Sequence, residues 1–232
     1  MKFTENNKLG DILSEHYRIL LLLGRFGISL GFGDKTVKAV CAEYNVDCQT
    51  FLAVVNYMAM GDSTLYRNVD VQTMLQFLRR AHTYYVDFLM PELRHKLEGV
   101  AGRLVGKKLY SLTMRLFDAY AAGVQRHFAY ENSELFSHAD RLAAGERGIG
   151  FFDLTNFISQ HENLDTKLLE LKNVMVRYFP AGDNPHEVNQ VLFDLFAFEA
   201  DLRSHCDIED NLLIPALMEM ERRGASGKRG EA

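Results

Sequence analysis

The sequence predicts an all-α protein, an antiparallel up-down four-helix bundle preceded by a small three-helix unit, and three observations carry that expectation. Apolar residues recur at the 3.6-residue spacing of an amphipathic helix through four long segments. Gly and Pro cluster between these segments rather than inside them. No stretch alternates apolar and polar residues with the β-branched enrichment of a strand. The boundaries that follow are 1–62 for the small helical unit, 63–223 for the bundle and 224–232 for a flexible tail.

The small unit reads as three helices: about 9–25, closed by Gly27; 35–44, with Asp34 as N-cap; and 48–60, before Gly61-Asp62. A polar stretch from Asp62 to Asp70 leads into the bundle. Its first helix, about 70–98, places Val71, Leu75, Leu78, His82, Tyr85 and Leu89 on one stripe. The second, about 107–143, aligns Leu109, Leu112, Leu116, Tyr120, Val124, His127, Glu131 and Leu135. The third, about 151–178, aligns Leu154, Phe157, His161, Leu164, Leu168, Leu171 and Met175 and stops at Phe179-Pro180. The fourth, about 185–223, aligns Leu195, Glu199, Leu202, His205, Glu209, Leu212, Ala216 and Met220. The tail from Gly224 has nothing apolar enough to pack, so it is expected to fray.

Composition narrows the function. A chain of 232 residues, 47% apolar with four prolines, can bury a sizeable core without staples. The net charge of −5 and the lack of a Lys/Arg run argue against a nucleic-acid partner. Three cysteines, Cys41, Cys48 and Cys206, have neither disulfide-framework nor zinc spacing. The polar start is not followed by a signal-peptide pattern and the apolar run Ile19 to Leu23 is far below spanning length, so a cytoplasmic protein with no membrane partner is expected.

The chemistry lies in polar residues that interrupt the apolar stripes. Residues four apart share a helix face, so His127/Glu131 and His205/Glu209 each aim an imidazole and a carboxylate at one point. His82 and His161 add one imidazole from each remaining helix. Burying such a group without a partner costs roughly 2–7 kcal/mol, and more for an ion. Six of them would strain a fold whose whole stability is about 5–15 kcal/mol. A metal relieves that strain because its binding energy becomes folding energy. Imidazole and carboxylate without thiolate suit iron, with manganese or zinc as alternatives, and bridging by Glu131 and Glu209 leaves two histidines for each of two ions. Open positions then remain for water, an oxo or hydroxo bridge, or a small diatomic ligand, dioxygen or nitric oxide. Singly, His82 and His161 read more readily as hydrogen-bonded core histidines than as ligands; the recurrence on four helices favours ligands.

The other histidines, His16, His95, His138 and His186, read as surface residues. Asp165, one turn after His161, is either a supporting ligand or a solvated acid. Tyr84, Tyr85, Tyr120 and Tyr130 flank the ligands, with packing the simpler reading. Cys206 points about 100° away from His205 and reads as structural.

Two stretches, His127-Phe128-Ala129-Tyr130-Glu131 leading to Leu135-Phe136 and His205-Cys206-Asp207-Ile208-Glu209 leading to Leu212-Leu213-Ile214-Pro215, resemble the motifs of the hemerythrin HHE cation-binding family. His82 followed by Leu89-Met90-Pro91-Glu92-Leu93 is similar to that family's first-helix motif, with one extra residue between His and Pro. His161 stands where the third-helix ligand belongs, although Gln160 replaces an acidic neighbour. Lys8 to Ile12, Gly27-Ile28 and Gly31 to Val37 resemble the small domain of repair-of-iron-centres proteins. That resemblance implies two non-haem iron ions and a role in restoring iron–sulfur centres after nitrosative or oxidative stress. Iron–sulfur proteins are then partners, and the small domain could mediate a homodimer. Where that domain usually carries paired cysteines, this chain has Ser29-Leu30-Gly31-Phe32. The competing expectation is a hemerythrin-like protein that binds or senses dioxygen or nitric oxide without turnover.

Overall fold

The computed structural model describes residues 2–146, 165–180 and 185–226, and these are all-α, with no more β character than an isolated bridge between Lys8 and Thr36. Backbone contacts divide the chain into two units, one formed by Met1–Ala81, Leu135–Phe151 and Ser204–Ala232, the other by His82–Glu134 and Phe152–Arg203. Among the described residues no helix is long and apolar enough to cross a membrane.

The first unit opens with α1 (Leu9–Glu15), a 3₁₀ turn (Tyr17–Ile19) and α2 (Leu20–Phe26) where the sequence suggested one helix. Gly27 ends α2 at φ 75°, a left-handed conformation that favours glycine; a Cβ there would lie 2.8 Å from the Arg80 guanidinium, the movable end of a long side chain. Helix α3 (Val37–Glu43) is capped by Thr36, whose hydroxyl accepts from Ala39 N at 3.3 Å, not by Asp34, which pairs with Lys8 at 3.1 Å. Helix α4 (Cys48–Met60) starts on Asp47 and ends on Gly61 at φ 69°. Its buried Phe51 meets Phe26, which also packs on Phe77 with 4.6 Å between centroids. Thr50 joins α4 to the next helix by accepting from Asp70 N at 2.7 Å.

That helix, α5, spans Val71–Thr83 and continues through a π-helical segment (Tyr84–Leu89) into α6 (Met90–Leu104). The second long helix is likewise α7 (Lys107–Tyr130), a π segment (Glu131–Leu135) and α8 (Phe136–Ala143). Helix α9 covers Asp165–Tyr178. The last is α10 (Pro185–Ile208), a π segment (Glu209–Leu213) and α11 (Ile214–Ser226). The periodicity placed these helices, but none of the three π segments was expected.

In the second unit α7 packs on α6 and α9. Only Val105 and Gly106 separate α6 from α7, so the two run antiparallel. Arg94 to Asp118 at 2.8 Å and Tyr110 to Glu98 at 3.1 Å fix their register. Lys96–Asp194 at 3.0 Å and Arg103–Glu187 set α10 antiparallel to α6, and Lys172–Glu199 at 2.6 Å joins α9 to α10. Along α7 the buried apolar positions before Tyr120 are Met114 and Phe117 rather than Leu112 and Leu116, which are half-buried. In the first unit Arg79–Asp140 at 2.6 Å and His138–Glu221 at 2.7 Å tie α8 to α5 and α11. His138 is therefore an ion-pair partner only 10% exposed, not the surface residue expected; His95 and His186 are exposed.

Candidate metal centre

In the second unit His82, His127 and Glu131 are all buried, at 4%, 3% and 0% exposure. One carboxylate faces two imidazoles: Glu131 Oε2 lies 3.1 Å from His82 Nε2 and Oε1 lies 2.9 Å from His127 Nε2. The other nitrogen of His82, Nδ1, is 3.3 Å from the amide oxygen of Asn132. That oxygen accepts, so a neutral ring that donates from Nδ1 turns its Nε2 lone pair toward the carboxylate, as a ligating histidine does. In that tautomer a cation between the lone pair and the carboxylate relieves their repulsion. Two donor atoms about 2.1 Å from one ion and at right angles to each other are ~3 Å apart, so these separations fit shared coordination.

Packing holds the triad. The Phe128 ring stacks on His82 at 4.0 Å and 14°, and Tyr85, fully buried, stacks on the same phenyl group at 5.7 Å. Phe198 closes on Tyr85 and Tyr120, each at 5.8 Å between centroids. Tyr85 and Tyr120 therefore act as wall, the packing role given the simpler reading above.

The first unit holds a smaller group. His205 and Glu209, both 0% exposed, approach to 3.4 Å between Nε2 and Oε1. Cys206 also offers its sulfur within 4.8 Å of a Glu209 carboxylate oxygen, the neighbour three residues on along the helix. Glu209 begins a π segment, in which each turn takes in an extra residue. Glu131 opens a π segment too, and the third starts two residues after His82. The carbonyls that these wider turns release find side chains: Asn211 Nδ2 donates to Asp207 O at 2.8 Å and Ser133 Oγ to Tyr130 O at 3.2 Å.

The sixth expected ligand, His161, lies outside the described residues, as does Gln160, and the side chain of Asp165 is not described. Sequence reasoning missed Asn132, Phe128 and the nearness of Cys206. All three had a signal, since each adjoins a motif residue: Phe128 follows His127, Asn132 follows Glu131 and Cys206 follows His205.

The donor set, imidazole and carboxylate buried together in both units, fits a metal cation. A comparison with curated proteins finds no match. Residues 73–217 match the family model for the hemerythrin HHE cation-binding domain, well over half of the chain, and the protein therefore belongs to the hemerythrin HHE cation-binding family.

Proposed function

We propose that His82, His127, Glu131, His161, His205 and Glu209 hold two non-haem irons, and that the protein restores iron–sulfur centres damaged by nitrosative or oxidative stress. The observation that carries the metal assignment is the fully buried Glu131 carboxylate with an imidazole nitrogen at each of its oxygens. The family's cation-binding character supports it, and the N-terminal resemblance supports the repair role. When bound, an iron pair supplies one-electron redox chemistry and affinity for dioxygen or nitric oxide. The chain's own residues hold the ligands in place: Asn132 fixes the His82 tautomer and Phe128 the plane of its ring. Tyr85 and Phe198 keep water from this pocket, which strengthens every charge interaction in it.

A second reading, reversible binding or sensing of dioxygen or nitric oxide, is favoured by Ser29-Leu30-Gly31-Phe32 in place of paired cysteines. The two separate on incubation of iron-loaded protein with an iron–sulfur enzyme inactivated by nitric oxide. Repair predicts recovery of that enzyme's cluster absorbance and activity with wild type but not with Glu131→Ala. A nitric-oxide-induced spectral change in the wild type without any recovery would overturn repair in favour of sensing.

A further inference from the structure

Two of the three cysteines meet in the first unit, far along the sequence from any HHE motif. Cys41 lies in the last turn of α3 and is 1% exposed; Cys48 is the first residue of α4 and is half-buried. The turn between them is closed by Val46 N donating to Cys41 O at 2.9 Å, with Asn45 in the left-handed region at φ 53°. This folds the end of α3 against the start of α4, which pack on each other, and places each thiol where it influences the ionisation of the other.

We infer that Cys41 and Cys48 form a reversible dithiol–disulfide site that exchanges with low-molecular-weight disulfides. The inference is independent of the metal reading. Access and polarity assign the roles. Cys48 is the thiol that solvent reaches. Burial pushes both thiols up, Cys41 the further; at Cys48 the Cys41 thiol pulls down, Glu5 and Asp47 push up and Lys38 pulls down, and the thiol stays raised. Cys48 therefore ionises first, with Cys41 as its donor. The Cys48 thiolate attacks one sulfur of the small disulfide, forming a mixed disulfide and releasing one thiolate. Cys41 then loses its proton to solvent or to that thiolate and attacks Cys48 Sγ, displacing the second. Two protein thiols are oxidised and one small disulfide is reduced to two thiols. The product closes a short loop and staples α3 to α4. The stapled turn matters locally, because Tyr44, Asn45 and Val46 line a small cavity with Phe26, Phe77 and Arg80.

The test is to expose the full-length protein to oxidised glutathione, block remaining thiols by alkylation, and map the products after cleavage at Glu43, between the two cysteines. The expected product is a Cys41–Cys48 cross-link with the loss of two hydrogens, reversed by a thiol reductant. Cys41→Ser should stop at a glutathione adduct on Cys48, and Cys48→Ser should leave Cys41 unmodified in the folded protein, with circular dichroism confirming that each variant is folded. The inference is overturned if wild-type Cys41 and Cys48 stay as alkylatable as in untreated protein, or if the wild type halts at the adduct with Cys41 still a thiol.

Discussion

Helices α3 and α4 begin on capping side chains, Thr36 and Asp47, and α4 ends on a left-handed glycine. The helices that carry His82, Glu131 and Glu209 instead contain a π-helical segment beside each of those residues. In the first region one N–H at each helix start meets a capping side chain and the ends close on backbone bonds, so the element follows from a few neighbouring residues. In the second the helix is widened in its interior, where the gain comes from what the side chains converge on. Irregular geometry is thus concentrated on the buried His and Glu residues, as expected where function rather than local stability selects the backbone.

The comparison can be tested from the site outward. Phe128→Ala removes the ring stacked on His82 and Tyr85, and should cost about 3–5 kcal/mol, read as a lowered urea midpoint. A loss under about 1 kcal/mol would mean that this packing does not hold the imidazole. Asp47→Ala removes the acceptor of Thr50 N at 2.7 Å and should cost about 1 kcal/mol while leaving bound metal unchanged. Metal lost on that substitution would erase the distinction between the two regions. The smallest effect concerns Asp62, whose carboxyl is held down at about 2 from 3.8 by hydrogen bonds from Thr64 and then by Lys2. A carboxyl lowered by folding stabilises above its ordinary value and stops doing so as pH falls through the folded one. Wild type should therefore lose stability more steeply than Asp62→Asn from about 3.8 down to about 2, measured by denaturation at each pH. Parallel curves would show that this cap is broken in solution.

Legibility in the sequence follows the same division. The all-α class, the glycine stops at Gly27 and Gly61 and the buried faces around His82, His127, Glu131, His205 and Glu209 were readable, because periodicity and capping are local. The N-cap of α3 was misplaced by two residues, since Asp34 and Thr36 are both good caps and only the fold decides between them. The π segments escaped because a helical wheel assumes a constant 100° per residue. Two left a trace: Pro91 and Pro215 each stand second after a π segment, where a regular helix would put the proline ring against the carbonyl four residues back. His138 was misread because its partner, Glu221, is 83 residues away.

The central claim is that the buried carboxylates hold metal. Metal content and visible absorption of the purified wild type, beside Glu131→Ala and Glu209→Ala, test it most directly. The account predicts about two irons per chain in the wild type, with a charge-transfer band lost in both variants while helical content is kept. A folded, colourless wild type that takes up no metal on reconstitution would contradict it.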